Sequence, residues 1–201
     1  TSEFKNVADY PSTATLQPGG HAIRVDDHFL FNDYGKFTRV KATWEAAKDA
    51  ANYEALTCLE NDGPFTTAGA RVKRDPEGRV VYGWRKNAAP TGFKEQIALV
   101  DAGLMKLDEC IYRPVNATNG EMFIPHSCSI AWNPYRKRWV MITSELMGKS
   151  MLGEVWYLEA NRPEGPWING VKVASHNHYT LYNPLQHPEL AARQLREAMR
   201  E

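Results

Sequence analysis

The sequence predicts a mostly β fold assembled from repeated hairpin units, on three observations. Short alternating runs of strand-favouring residues recur along the chain, each followed by a tight polar turn and a second apolar run. These units start near positions 21, 69 and 126, with a further start at His187, so the spacing is roughly 50–60 residues, close to the ~40–50 of blade-sized repeats. Other strand-like runs fill the intervals. Repetition at this period is the signature of β-propeller blades, each a small antiparallel sheet. An ordinary β-sandwich also alternates, but it turns every ~8–12 residues without a long repeat.

The first unit runs from Gly20 to Val25, turns at Asp26-Asp27 and returns through His28-Phe29-Leu30-Phe31. The second runs from Gly69 to Lys73, turns at Asp75-Pro76-Glu77-Gly78 and returns from Arg79 to Trp84. The third runs from His126 to Trp132, turns at Asn133-Pro134-Tyr135 and returns from Arg138 to Ile142. Aspartate, asparagine, proline and glycine between apolar runs give each hairpin its turn. Strands are also expected over Tyr53–Leu59, Gln96–Val100, Cys110–Val115, Glu154–Glu159 and Val171–Ala174. Two stretches read as helical: Ala42–Ala51, rich in Ala, Glu and Lys, and Pro188–Glu201, where Leu190, Leu195 and Met199 follow a proline start. The whole of 1–201 reads as one domain, with no interdomain linker.

Composition narrows the function. The chain has 201 residues, 24 basic and 24 acidic side chains and zero formal net charge. Phosphate binding needs a basic excess or stripe, so nucleic acid is not an expected partner. No run reaches the ~18 apolar residues of a membrane span, so no membrane partner is expected. Thr1–Lys5 lacks an apolar signal region, so any export signal is expected to have been removed or never to have existed. Cys58, Cys110 and Cys128 show no CxxC spacing, which argues against structural zinc and leaves either one disulfide with a free thiol or three buried thiols. Asn116-Ala117-Thr118 fits the glycosylation sequon, a motif short enough to arise by chance. Gly148 and Gly153 lack the spacing of a nucleotide loop.

One segment carries a resemblance. Gly153-Glu154-Val155-Trp156-Tyr157-Leu158-Glu159-Ala160, followed by Asn161-Arg162-Pro163-Glu164-Gly165-Pro166-Trp167, resembles the strand and turn "WYAEA…SPxGPW" of five-bladed β-propeller glycoside hydrolases of the arabinanase, xylosidase and anhydrogalactosidase type. Ile130–Asn133 with Trp139–Ile142 looks like a hairpin of the same fold, and Tyr182–Pro188 like the approach to a final blade. The likeness covers about residues 120–190 well and the first half in pattern only. It implies a carbohydrate-active hydrolase acting on oligo- or polysaccharide at the mouth of the central channel, secreted or periplasmic. About three blades are present, fewer than a five-bladed ring needs. The chain is then a piece of a longer propeller, one half of a homo-oligomer that completes the ring, or a fold that never closes. A non-catalytic propeller module binding glycan or protein is the alternative to an enzyme.

In such a ring the innermost strands line the channel. His21, His126 and His187 stand at or beside the starts of repeats, so they are expected to converge near the axis. Imidazoles there could bond a sugar, move protons near neutral pH, or hold a divalent cation, although no cofactor is required. Each could equally cap its own strand. Sugar hydrolysis generally uses two carboxyl groups. Glu154, after a glycine at a strand start, is the expected catalytic carboxylate, with His126 and His187 beside it; Glu145 and Asp33 are further acidic candidates for substrate contact. Trp132, Tyr182 and Asn183, together with His21, complete the expected sugar-binding set, while Trp44, Trp84 and Trp156 read mainly as core between blades. His176-Asn177-His178 is a weak metal pattern, and Arg136-Lys137-Arg138 a basic cluster in a turn.

Overall fold

The computed structural model describes residues 6, 9, 10 and 16–188. The chain divides into two compact units, residues 1–110 and 111–201. It is mostly β, with one five-stranded sheet in each unit and few helices.

The first sheet is an antiparallel meander of β1 (Ile23–Val25), β2 (His28–Asp33), β3 (Lys36–Lys41), β4 (Glu54–Thr57) and β5 (Gly83–Arg85), in sequence order. β2 and β3 are joined by Tyr34 and Gly35, both with positive φ (51° and 80°), the two-residue turn whose twist matches paired strands. Asn32 secures it by accepting the Gly35 N–H at 2.7 Å. Between β3 and β4 lie α1 (Trp44–Ala47), capped by the Thr43 hydroxyl, and a 3₁₀ turn at Ala50–Asn52. The helix expected over Ala42–Ala51 is thus present but broken, because Asp49 caps a new turn by bonding the Ala51 N–H.

Two expectations need correction in this unit. The run Gln96–Val100 is not a strand; it lies within helix α2 (Phe93–Asp101). A short apolar run has no period of its own, and the deciding signals are Glu95, which accepts the Gly92 N–H at 3.1 Å, and Phe93, Gln96 and Leu99 buried on one stripe. The second hairpin, Gly69–Trp84, keeps its Asp75–Gly78 turn, but only Gly83 and Trp84 join a strand ladder, in β5 against β4; the rest pairs through the isolated bridges Leu59↔Val72 and Arg74↔Val80. Asp75 draws its bonds from the Glu77 and Arg79 N–H groups and from the Arg79 side chain, so side chains hold the turn in place of a continuous ladder. Hydrophobic residues of this segment (Val72, Val80, Tyr82) pack on Cys58, Leu59, Leu99, Met105 and Cys110.

The second sheet has the order β6-β10-β9-β8-β7, from β6 (Tyr112–Asn116), β7 (Pro125–Asn133), β8 (Arg138–Glu145), β9 (Glu154–Ala160) and β10 (Trp167–Ser175). β7 to β10 form an antiparallel meander, and β6 joins its far edge parallel to β10. One face buries Met141, Leu158, Ile130 and Tyr112, whose hydroxyl lies 3.5 Å from the Met141 sulfur. Trp167 is wholly buried, its indole N–H donating to the Pro163 carbonyl, so this side of the Pro163–Pro166 turn is built round it. All three cysteines are buried. The helix expected over Pro188–Glu201 lies, beyond Pro188, outside the described residues. Among the described residues no helix is long and apolar enough to cross a membrane.

Gly170 of β10 lets Phe123 lie flat on the sheet: a Cβ there would stand 2.9 Å from Phe123 Cε1 and 3.3 Å from Trp156 Cε3. Gly170→Ala should lower the unfolding free energy by about 1–3 kcal/mol, the usual cost of overpacking. Chemical denaturation checks this, and a midpoint equal to the wild type's would refute the close packing.

Candidate functional site

The loop from β8 to β9 brings two carboxylates together. In the ladder Ser144 pairs with Val155 and Thr143 with Trp156, so the next step places Glu145 opposite Glu154. Strand alternation then puts Glu145, Glu154 and Trp156 on one face, and facing positions in an antiparallel pair have Cβ atoms about 4.5–5.5 Å apart. Lys172 of β10 pairs with Trp156 and completes the group.

Each member is held. The Lys149 N–H donates to both oxygens of Glu154, at 2.9 and 3.0 Å, and Lys172 Nζ lies 3.4 Å from Oε1. The Glu154 side chain is 1% exposed, whereas Lys172 is 37% exposed. Gly148 is where the loop must come closest: a Cβ there would stand 1.9 Å from Glu154 Oε2. Glu145 accepts the Trp156 indole N–H at 2.9 Å. That indole stacks on Phe123, with centroids 4.3 Å apart and planes at 13°, and Lys172 Nζ stands 4.8 Å from its ring centre. Burial pushes the Glu145 carboxyl above its ordinary value of 4.5, and the nearby Glu154 charge adds to this; the Trp156 bond and Lys172 act the other way. The result is a half-buried acid beside a buried, fully hydrogen-bonded carboxylate.

The remaining candidates lie on other elements. His126 sits half-buried on β7, its Nδ1 2.7 Å from the Ser127 hydroxyl and its ring 5.5 Å from that of Tyr182. His187 is exposed near the last described residues, just after Gln186, whose side-chain amide donates to the Ser129 and Val140 carbonyls. Tyr182 is 63% exposed, and Asn183 follows it with φ 50°. Trp132 is 44% exposed and packs edge-on against Trp139. His21 and Asp33 belong to the first unit: His21 is exposed ahead of β1, and Asp33 closes β2 against Gly19. His176 is a local cap, its Nδ1 accepting the His178 and Tyr179 N–H groups at 2.9 Å. Among the described residues no three of His, Cys, Asp and Glu group in a way that could hold a metal ion.

Sequence reasoning missed Lys172, Phe123 and the pairing of Glu145 with Trp156. The alternation Glu154, Trp156 was legible; the partners came from strands whose order the sequence does not state. Comparison with family models, curated proteins and solved structures finds no match for this chain.

Glu145 gives a signed pH dependence. A carboxyl raised in the folded state binds its proton more readily there than in the unfolded chain. Its contribution is therefore full below the unfolded value and is lost as pH rises through the higher folded one. Glu145→Gln should gain stability relative to the wild type as pH rises from about 4 to about 7. Urea denaturation across that range checks it, and a relative gain for the wild type would refute burial as the cause.

Proposed function

We propose that this chain is a carbohydrate-active protein of the β-propeller type, glycoside hydrolase-like, acting on an oligo- or polysaccharide. The observation that carries the reading is the Glu145–Glu154 pair at the adjoining ends of β8 and β9, set beside Trp156 and Lys172. Glu145 is the proton donor, since burial favours its protonated form and its side chain is only half buried. Glu154 is the paired carboxylate. Its burial requires the 146–153 loop to open for substrate.

The four-stranded antiparallel meander β7–β10 has the topology of a propeller blade, which supports the architecture. On this reading the ring is closed by further blades of a longer chain or by a second copy, and the location is secreted or periplasmic as in the proteins the sequence resembles. His126 and Tyr182 form an aromatic platform suited to a sugar face, with His187 a few residues further along.

A second reading, a non-catalytic glycan-binding module, is favoured by the enclosure of Glu154, whose oxygens both receive the Lys149 N–H. Aryl-glycosides and polysaccharides, assayed with wild type and Glu145→Gln, separate the two. Hydrolysis that falls about 10²–10⁴-fold in the variant, with binding kept, supports a general acid. Binding without hydrolysis by the wild type supports the module, and neither binding nor hydrolysis refutes both.

A further inference from the structure

The opposite face of the second sheet carries a separate arrangement. Val140 pairs with Glu159, Ile142 with Tyr157, and Val171 of β10 with Tyr157, so alternation places all five side chains on the face away from Glu145. A cleft of about 470 Å³ opens there beside the β7–β8 turn, within the ~300–1,000 Å³ of small-ligand sites.

Glu159 fixes two of its walls. The Tyr157 hydroxyl and the Arg136 Nε–H both donate to Glu159 Oε1. Arg136 holds the Glu159 carboxyl below the usual range, and Arg138 adds a smaller pull. Burial and the bond to Glu159 push the Tyr157 phenol up to about 12, so it remains a protonated donor. The carboxylate is thereby satisfied by one guanidinium and one phenol.

Arg138 is the second cation of the cleft, and among the described residues it has no carboxylate within ion-pair distance; its Nη1 donates only to the adjacent Lys137 carbonyl, at 3.1 Å. Asn161 and Asn169 bring amide donors and acceptors to the same lining, and Pro166, Ile168 and Val171 bring an apolar floor. A guanidinium fork matches the paired oxygens of a carboxylate or sulfate. Amides suit hydroxyl groups, and a tyrosine edge with aliphatic side chains suits the C–H face of a ring. We propose that this cleft binds an anionic sugar unit, a ring bearing a carboxylate or a sulfate, with Arg138 on the anion and Arg136, held by Glu159, beside it. The site goes beyond the proposed hydrolysis and shares none of its residues.

Calorimetric titration of the full chain with a short oligogalacturonate, its neutral methyl ester and a sulfated galactan oligosaccharide of equal length tests this. At least one anionic ligand should bind about tenfold or more tightly than the neutral ester, with affinity falling as salt is added. Whichever anion binds better identifies carboxylate or sulfate as the group read. Arg138→Ala should weaken that ligand about tenfold, the loss of one charge-assisted contact, and Arg138→Lys should restore part of it. Arg138 is exposed, and circular dichroism is the check that the variants fold. Failure of both anions to bind more tightly than the neutral ester, or wild-type affinity in Arg138→Ala, overturns the proposal. Hydrolysis read with Glu145→Gln and binding read with Arg138→Ala are separate measurements, so either proposal can fail alone.

Discussion

Trp156 is where the constraints of the second unit meet. Its ring needs a flat apolar neighbour, which Phe123 supplies because Gly170 leaves room for it to stack. Its N–H needs an acceptor once buried, and Glu145 provides one. The ring also takes the Lys172 ammonium, which stands beside Glu154. One buried indole therefore ties β8, β9 and β10 and the segment before β7 to a single arrangement, and the two carboxylates are positioned by it. Carboxylates brought together out of water repel and lose hydration. The fold offsets this with an indole donor on one and a backbone donor plus a nearby lysine on the other.

The same strands serve two chemistries because their side chains alternate. Residues 154 and 156 of β9 face the carboxylate pair, while 157 and 159 face the arginine cleft. On the first face donors surround buried acid; on the second, one acid organises a phenol and a guanidinium around an otherwise basic, open cleft. The β7–β8 turn, with Lys137 at φ 52°, delivers Arg136 and Arg138 to that second face. The first unit is held differently. The start of α2 docks on the β2–β3 turn, where the Phe93 N–H donates to the Tyr34 carbonyl and Lys36 pairs with Glu95 at 3.0 Å.

The sequence by itself determined the mostly β character, the hairpins 20–31 and 126–142, and the strands near 54–57, 112–115, 154–159 and 171–174. In each of these, local alternation and turn residues agree with the final pairing. It also marked Glu154 and Glu145 as strand-end acids. Only the tertiary structure decided that Gln96–Val100 is helical, that the second hairpin pairs through isolated bridges up to Tyr82, and that Glu145 faces Glu154 beside Trp156. These outcomes depend on caps, on burial against distant segments and on strand register. The bridge to Leu59 and the strand register arise from residues far apart in the chain, whereas the helix starts on the local Gly92–Glu95 cap.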